Sequence, residues 1–293
     1  MHCLVKIYLF SYDMLMQIII PMSGLGSRFI HKGYKEIKPL IKVDNKPIIE
    51  YVVKLFPGET NFVFICNNDH LATTPLRKEL NRVMPSGKII GIESQKKGPV
   101  WAILQALEAI DDNEPTIVNY CDFNCVWDYA NFKKDVLEKK YAGAIPCYIG
   151  FHPHLLGPNL YASCKVDAQK NLLEIREKYS WTADKMQSYQ SDGTYYFQSG
   201  ALVKKYFQQL INEDVNLNGE YYVSLVYNLL VHDKLPVHIY EVEQFCQWGT
   251  PEDLEEFMSW FNYCKYQQSN KNPLPHNLAT LMYWQKYIAN QAN

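Results

Sequence analysis

The stretch that decides the fold is residues 18–39, which read IIIPMSGLGSRFIHKGYKEIKP. An apolar run, typical of a buried β-strand, leads directly into a short loop that contains Gly24 and Gly26. Glycines let backbone N–H groups approach phosphate oxygens with no Cβ in the way. Arg28 and Lys38 add positive charge close by. We therefore interpret the stretch as a strand followed by a triphosphate-binding loop.

This loop differs from the two common nucleotide-binding motifs. The dinucleotide motif G-x-G-x-x-G requires a third glycine where this chain has Phe29. The Walker motif requires Gly-Lys followed by Ser or Thr, and Arg28 has no such neighbours. Because a G-x-G pair alone is more often a simple turn, the interpretation also depends on Lys38 and Pro39 and on a helix predicted over residues 47–56.

The length, charge and cysteine spacing of the chain argue against some classes of protein. The chain has 293 residues, of which 47% are hydrophobic, and 29 basic and 31 acidic residues give a net charge of -2. This length can hold one large α/β domain. The balanced charge provides no basic face, so we expect no nucleic-acid partner. The eight cysteines form no C-x-x-C pair, which predicts reduced thiols in a cytoplasmic protein rather than a zinc site.

The two ends of the chain differ from its middle. Residues 1–15 are apolar but contain Lys6 and Asp13 and no cleavage motif, so we expect a non-core N-terminal extension rather than a signal peptide. No later segment is apolar enough to span a membrane, so we expect no membrane partner. The working domain is predicted over residues 16–266. A polar linker and an amphipathic helix follow at residues 267–293, and this helix would pack on the body or on a second subunit of a homodimer.

Strand and helix patterns alternate as far as about residue 150. Strands are predicted at residues 17–22, 61–66, 88–93, 116–121 and 142–148, and helices at residues 47–56, 71–83, 99–110 and 127–140. This alternation predicts a parallel sheet with helices on both faces. The later pattern predicts short strands at residues 161–166, 172–175, 194–197 and 237–242 and helices at residues 201–211, 220–232 and 251–266. The predicted fold class is therefore α/β, with a Rossmann-like, mostly parallel but mixed sheet flanked by helices.

Asp122 directly follows the buried strand predicted at residues 116–121. A carboxylate at the tip of a buried strand is costly unless it is paired or binds a metal. In triphosphate sites Mg²⁺ commonly takes one or two carboxylates together with phosphate oxygens. We therefore predict that Asp122 binds Mg²⁺, with capping of the next loop as the alternative.

Together these motifs resemble those of the sugar-1-phosphate nucleotidyltransferases, the nucleoside-diphosphate-sugar pyrophosphorylases. The likeness extends from Gln17 to about Trp260. It rests on the glycine loop, Lys38-Pro39, Gly98, Asp122, Glu177-Lys178, Gly219-Glu220 and the GTPEDL segment at residues 249–254. The resemblance implies a GT-A-like nucleotide-diphospho-sugar transferase fold that uses Mg²⁺, an NTP and a phosphorylated acceptor.

The resemblance also implies a role for individual residues. The implied catalytic residues are Arg28 on the leaving phosphates, Lys38 near the α-phosphate and Lys178 on the acceptor phosphate. The implied NTP-binding residues are Met22, Ser23, Gly24, Leu25, Gly26, Ser27, Gln95 and Gly98. The implied acceptor-binding residues are Gly193, Thr194 and Glu220. A surface ion pair is the alternative role for Lys178 and its neighbour Glu177.

One position departs from the family pattern. The family often has a second metal-binding acid two residues before the glycine of its late GTP motif, where this chain has Gln247 before Gly249. Asp122 would therefore work alone with phosphates and water, or with another acid such as Asp128 or Glu220. The residues after Gly98 also differ from the family pattern, so the sequence does not identify the base.

The predicted reaction transfers a nucleoside monophosphate from an NTP to a phosphorylated acceptor and releases pyrophosphate. A sugar 1-phosphate is the default acceptor, and the implied role is nucleotide-sugar supply for surface polysaccharide synthesis. Three alternatives stay open: a metal-dependent glycosyltransferase with residues 122–124 as a degenerate D-x-D motif, a cytidylyltransferase acting on choline phosphate, and a non-catalytic relative. His152 and His154 form an H-x-H pair for which a metal role and plain packing both stay open.

Overall fold

The computed structural model describes residues 14–269, without the side chains of residues 266–269. Within that range Met14 and Leu15 are exposed, and the first strand follows at Gln17. The rest of the predicted N-terminal extension and nearly all of the predicted C-terminal linker and helix lie outside the described residues.

The first half of the chain builds a parallel sheet, and the second half adds antiparallel strands to it. The strands are β1 (Gln17–Met22), β2 (Lys42–Val43), β3 (Lys46–Pro47), β4 (Asn61–Asn67), β5 (Lys88–Ile92), β6 (Thr116–Asn119), β7 (Phe123–Val126), β8 (Gly143–Tyr148), β9 (Ser163–Val166), β10 (Leu172–Arg176), β11 (Tyr189–Ser191), β12 (Thr194–Phe197), β13 (Val237–Glu241) and β14 (Gln244–Gln247). The main sheet has the order β10-β9-β11-β8-β12-β6-β1-β4-β5, and β13 pairs with β8. Strands β6, β1, β4 and β5 are parallel, whereas β12 runs antiparallel to β6 and β8.

Strand β1 shows why this sheet is buried on both faces. Successive side chains of a strand point to opposite faces. Accordingly Ile18 and Ile20 pack in one hydrophobic core and Ile19 packs in the other, all with no exposed surface. A continuous apolar run is therefore the expected sequence for this strand.

Helices cover both faces. They are α1 (Ser27–His31), α2 (Ile48–Lys54), α3 (Asn68–Thr73), α4 (Leu76–Val83), α5 (Pro99–Leu104), α6 (Tyr129–Lys139), α7 (Gly200–Asn212), α8 (Val223–His232) and α9 (Pro251–Ser269). Helices α2, α4 and α6 bury apolar side chains in the core that contains Ile18, and α5, α7 and α8 do so in the core that contains Ile19. The predicted α/β class, a mixed sheet with flanking helices, is confirmed.

Several helix predictions were wrong in their bounds, and three of them differ most in the middle or at the start of the helix. The helix predicted over residues 71–83 is two helices, because Pro75 restricts Thr74 to an extended conformation with φ -127° and ψ 164°. The helix predicted over residues 99–110 ends at Leu104, and a 3₁₀ turn, Leu107–Ala109, follows. The helix predicted from residue 220 begins only at Val223.

A second, small sheet was not predicted. Strands β7 and β14 pair antiparallel, with Phe123 opposite Gln247 and Val126 opposite Gln244. This pairing brings the chain after Asp122 next to the chain before Gly249. No helix among the described residues is long and apolar enough to cross a membrane.

The buried side chain of Glu59 connects the residue before the first strand to helix α6. Its carboxylate is 3% exposed and accepts hydrogen bonds from the Met16 backbone N–H, the Tyr129 hydroxyl and the Lys133 ammonium, each at 2.6 Å. Removing one partner from a buried ion pair is strongly destabilising, because the remaining charge stays desolvated. Glu59 therefore ties the residue before β1 to helix α6.

We predict that Glu59→Gln lowers the free energy of unfolding by about 2–3 kcal/mol, because Lys133 loses its buried counter-charge. Urea unfolding at equilibrium measures the change. The matched control is Glu241→Gln, which removes an exposed pair with Lys170 and should cost less than about 1 kcal/mol. Equal losses in both variants would show that Glu59 is not an anchor.

Candidate active site

The loops after β1, β5 and β6 meet at one edge of the sheet, because these strands are joined by parallel pairings. Ligands of open parallel sheets bind at this carboxyl edge. Two neighbouring cavities lie here, one of about 470 Å³ and one of about 330 Å³.

The larger of the two cavities, which we name the glycine-loop cavity, is lined by most of the predicted NTP-binding residues. Its lining includes Ser23, Gly24, Leu25, Gly26, Ser27, Gln95 and Gly98. Met22 is different, because its side chain is 3% exposed and packs in the hydrophobic core. A contribution of Met22 to nucleotide binding would therefore have to come from its backbone.

The smaller one, which we name the tyrosine cavity, contains most of the predicted acceptor residues. Its lining includes the charged residues Arg28, Glu177, Lys178, Asp192 and Glu220 and the rings of Tyr120, Tyr161, Tyr195 and Tyr222, together with Gly193. Thr194 does not belong to it, because its fully buried hydroxyl donates to Asn119 Oδ1 at 2.8 Å between β12 and β6.

Four residues line both cavities: Tyr120, Asp122, Glu220 and Tyr222. The two cavities therefore meet at these four residues, of which Asp122 and Glu220 carry carboxylates. Two ligands, one in each cavity, would face each other across these residues.

Gly26 gives the loop after β1 its shape. Its φ of +63° is a left-handed conformation that glycine adopts without cost, and its carbonyl oxygen accepts the backbone N–H of Phe29 at 3.0 Å, where α1 begins. At Gly24, by contrast, a Cβ would meet nothing within 4 Å. The space beside Gly24 is open to a ligand.

Gly98 holds the loop after β5 against the segment that precedes α8. Its φ is +89°, and a Cβ at this position would lie 2.8 Å from the backbone nitrogen of Tyr221. Two backbone hydrogen bonds make the contact: Tyr221 donates to the Lys97 carbonyl at 2.9 Å, and Val100 donates to the Tyr221 carbonyl at 3.1 Å. The glycine-loop cavity and the tyrosine cavity are therefore joined through backbone as well as through shared side chains.

Lys38 lies beside the junction and contacts Asp122, although its side chain is in the lining of neither cavity. Its ammonium donates to Asp122 Oδ2 at 2.6 Å and to the Gly249 carbonyl oxygen at 2.8 Å. The carbonyl oxygen of Asp122 in turn accepts the backbone N–H of Trp248 at 3.0 Å. The sequence named Lys38 and Asp122 separately, and the structure brings them into direct contact.

Arg28 and Lys178 both line the tyrosine cavity. The sequence analysis placed Arg28 on the leaving phosphates, but in this structure it does not line the glycine-loop cavity, because helix α1 turns it away from its neighbour Ser27. Lys178 has a left-handed backbone with φ +52°, and its N–H donates to the Tyr161 carbonyl at 3.0 Å. The two cations of this cavity are therefore 150 positions apart in the sequence.

Glu177 and Asp192 are carboxylates with an unusual environment. Burial raises the pKa of Glu177 to about 7, against an opposing hydrogen bond from the Ser224 hydroxyl. Burial also raises the pKa of Asp192 to about 7, although its Oδ1 accepts the backbone N–H of Thr194 at 2.8 Å. Desolvation penalises the charged form of an acid, which explains both directions. These carboxylates lie where their charge is poorly compensated.

The side chains around Asp122 can supply only some of the ligands of a Mg²⁺ ion. No group of three or more His, Cys, Asp or Glu side chains that could hold a metal occurs in residues 14–269. Gln247 is buried, and its Nε2 donates to Asp253 Oδ1 instead of facing either cavity. Asp128 caps α6 through a bond from the Asn131 N–H. Asp122, with Glu220 nearby, therefore suits an ion that takes its other ligands from phosphate and water.

The histidines of the H-x-H pair have protein partners. His154 Nε2 is 2.5 Å from the Tyr148 hydroxyl, and His152 Nε2 is 3.0 Å from the Phe245 carbonyl oxygen. Burial lowers the pKa of His152 to about 4 and that of His154 to about 2. Both rings are therefore neutral parts of an aromatic cluster beneath the tyrosine cavity.

Several lining residues were missed from the sequence. Asp192 precedes the predicted Gly193, and an acid beside that turn was a signal that could have been used. Tyr120 was missed, because the chain contains 22 tyrosines and no single one stands out, whereas Tyr222 belongs to the segment of residues 218–222 that the resemblance places at the acceptor site. Thr250 lines the tyrosine cavity and caps helix α9, because its hydroxyl accepts the Asp253 N–H at 3.2 Å.

Comparison with solved structures shows the same fold in other proteins. The nucleoside-diphosphate-sugar pyrophosphorylase from Vibrio cholerae RC9 has a TM-score of 0.67 at 19% identity, over 83% of this chain and 99% of its own. The inositol-1-phosphate CTP transferase from T. maritima has a TM-score of 0.64 at 15% identity, over 83% of this chain and 95% of its own. A UDP-glucose pyrophosphorylase solved with UDP-glucose has a TM-score of 0.66 at 15% identity, over 85% of this chain and 99% of its own. At these identities the likeness establishes the fold.

The family is established by sequence. No curated protein sequence gives a significant match. A family model described as a MobA-like NTP transferase domain, however, matches residues 18–187, which is more than half of the chain and includes the glycine loop, Lys38, Asp122 and Lys178. The resemblance stated from the motifs is confirmed. The chain belongs to the MobA-like NTP transferase family, and it is a nucleotidyltransferase.

Proposed function

We propose that the protein transfers a nucleoside monophosphate from an NTP to a phosphate monoester and releases pyrophosphate. The observation that carries this proposal is the junction at Asp122, where a cavity lined by a glycine loop meets a second cavity lined by Arg28 and Lys178. The NTP would occupy the glycine-loop cavity, and the acceptor would occupy the tyrosine cavity. The two reacting phosphates would then meet beside Lys38.

The reaction needs positioning more than it needs a base. An acceptor phosphate is already an anionic nucleophile, and its oxygen attacks the α-phosphorus while the bond to pyrophosphate breaks. The obstacle is to hold two polyanions together, and fixing reactants in place supplies roughly 7–11 kcal/mol in favourable cases. Two joined cavities supply this positioning.

Lys38 is arranged to act at the transferred phosphate. An ammonium has three N–H donors, and in this structure two of them point at Asp122 Oδ2 and at the Gly249 carbonyl. The ammonium also lies 5.2 Å from the centroid of the Phe29 ring, and we propose that its third donor turns to a phosphate oxygen when substrate binds. Its fixed partners orient the ammonium before substrate arrives, which is the condition for effective electrostatic stabilisation.

Mg²⁺ is the proposed cofactor. Asp122 would hold it, with Glu220 as the nearest second acid of the shared lining. When bound, a divalent ion neutralises triphosphate charge and stabilises charge on the leaving group. Arg28 and Lys178 would then hold the acceptor phosphate in the tyrosine cavity.

The degenerate D-x-D alternative loses support from the position of Asn124. That residue is in β7 and lines a different cavity together with Tyr51 and Trp127, whereas Asp122 lines the two cavities of the active site. A glycosyltransferase motif would need both side chains at one metal. Nucleotidyl transfer is therefore the better supported reaction.

A sugar 1-phosphate is the first acceptor class to test, with nucleotide-sugar supply for surface polysaccharide synthesis as its implied role. Support comes from the fold shared with the Vibrio cholerae pyrophosphorylase. The T. maritima neighbour, an inositol-1-phosphate CTP transferase, shows that this fold also occurs with a different kind of phosphate ester.

A screen of the four common NTPs against phosphorylated acceptors, with Mg²⁺ and pyrophosphate release as the readout, tests the proposed reaction. Release of a nucleoside diphosphate from a nucleotide sugar would overturn it.

We predict that Asp122→Asn lowers kcat/KM for pyrophosphate release by about 100-fold or more, because the carboxylate that would hold Mg²⁺ and that orients the Lys38 ammonium is lost. The variant should also need more Mg²⁺ for half-maximal rate. Steady-state kinetics across a Mg²⁺ titration measures both effects.

The matched control is Asp128→Asn. Asn caps helices as well as Asp does, and Asp128 lines neither cavity, so rate and Mg²⁺ dependence should stay at wild-type values. A similar loss in both variants, or none in Asp122→Asn, would remove Asp122 from the mechanism.

We predict that Gly98→Ala lowers kcat/KM by about tenfold or more, since a Cβ would push the loop after β5 away from Tyr221 and disturb both cavities. The control is Gly58→Ala, which also has a positive φ, +88°, but meets nothing within 4 Å. It should cost about 1 kcal/mol of stability and leave the kinetics unchanged. Unchanged kinetics in Gly98→Ala would contradict the proposed coupling.

A further inference from the structure

The tyrosine cavity has more acidic groups than its proposed anionic ligand requires. Arg28 and Lys178 suffice to hold a phosphate, and they are the two cationic side chains in its described lining. The same lining contains Glu177, Asp192 and Glu220 in addition to Asp122. Carboxylates repel a phosphate, so these groups need a different explanation.

Asp192 is the most informative of these acids, because one of its carboxylate oxygens lacks an N–H or O–H donor within residues 14–269. The residue is 2% exposed, and its Oδ1 accepts the Thr194 N–H at 2.8 Å. Its Oδ2 is buried and has no N–H or O–H donor among the described residues, and the carboxyl group's other contact is with the thiol of Cys125, which is a weak donor. A buried oxygen without a donor is costly, and a ligand that supplies the donor removes this cost.

Glu177 adds a second acid to the lining of the same cavity. It accepts one hydrogen bond, from the Ser224 hydroxyl. A hydroxyl is a neutral donor, and Lys178 is the cation that favours the charged form of Glu177. With Asp122, Asp192 and Glu220, Glu177 makes four acids in this lining against the two cations Arg28 and Lys178.

The aromatic lining points to the same kind of ligand. Tyr120 and Tyr195 pack edge to face with ring centroids 5.5 Å apart, and Tyr161 and Tyr222 complete the tyrosines of the cavity. Ring faces attract cations, and the attraction grows when water is excluded. Acids and tyrosines in one small cavity are a suitable environment for an ammonium group.

We propose that the acceptor is a phosphate monoester that carries a cationic nitrogen, such as an amino alcohol or amino sugar phosphate. Its phosphate would bind Arg28 and Lys178, and its ammonium would bind Asp192 and Glu177 between the tyrosine rings. The inference rests on the proposed nucleotidyl transfer and names its acceptor class. A cavity of about 330 Å³ suits a small molecule of this kind.

The test compares pairs of acceptors that differ in charge but little in shape. Ethanolamine phosphate is paired with n-propyl phosphate, in which a methyl group replaces the ammonium, and glucosamine 1-phosphate is paired with glucose 1-phosphate. Calorimetric titration of the full chain with each compound gives the affinities, and pyrophosphate release with each NTP gives kcat/KM. We expect at least one cationic member to exceed its neutral partner by about tenfold or more, as one partly desolvated cation–aromatic contact allows.

Variants assign the preference to residues. Asp192→Asn keeps the acceptor for the Thr194 N–H, and Glu177→Gln keeps the acceptor for Ser224, so each variant removes charge with little change of shape. Each should bring the ratio of cationic to neutral affinity towards one. Glu174→Gln is the control, because this exposed acid pairs with Arg176 outside the cavity and should leave the ratio unchanged.

Equal binding of both members of each pair by the wild-type protein, or binding of none of the four compounds, would overturn the proposal without use of any variant. A preference for the neutral members with normal pyrophosphate release would reject the cationic acceptor and leave nucleotidyl transfer in place. Binding of a cationic member without pyrophosphate release with any NTP would support the cationic pocket and count against the proposed reaction.

Discussion

The contact between Lys38 and Asp122 is the interaction on which the active site depends. It joins residues 84 positions apart, and the further bond from Lys38 to the Gly249 carbonyl spans 211 positions. Exposed ion pairs contribute little to stability, and buried ones recover their desolvation cost only with good geometry. This pair is partly exposed, with 17% and 30% of the two side chains accessible. Its main effect is therefore positional, because it fixes one ammonium and one carboxylate where the two cavities meet.

Two separate features of the fold bring these residues into contact. The parallel strands β1 and β6 bring the glycine loop and Asp122 to one edge, as open α/β sheets generally do. The small β7–β14 sheet then brings Gly249 back to Asp122 from the far end of the domain. In addition, two backbone hydrogen bonds beside Gly98, which Tyr221 makes with Lys97 and Val100, join the loop after β5 to the segment that precedes α8. The two cavities, which we propose as nucleotide and acceptor sites, are consequently held together at one edge of the sheet.

Features encoded by short-range patterns were predictable from the sequence. The apolar run of β1, the turn at Gly26 and the carboxylate after β6 each follow from a few neighbouring residues, and the α/β class follows from their alternation. The break at Pro75 was also readable but was overlooked. The β7–β14 pairing was not predictable, because its strands have four residues each and lie more than a hundred positions apart. The cavity that Arg28 faces and the unpaired oxygen of Asp192 depend on tertiary packing, which no local pattern encodes.

We propose that a triphosphate binds along the glycine loop with its α-phosphorus beside Lys38 and Asp122. Crystals soaked with α,β-methylene NTP analogues, which cannot release pyrophosphate, would show where the triphosphate lies. We expect electron density for the triphosphate along residues 23–27, with an α-phosphate oxygen within hydrogen-bond distance of Lys38 Nζ. Density for the analogue in another place, with the contact between Lys38 and Asp122 unchanged, would rule out this binding mode.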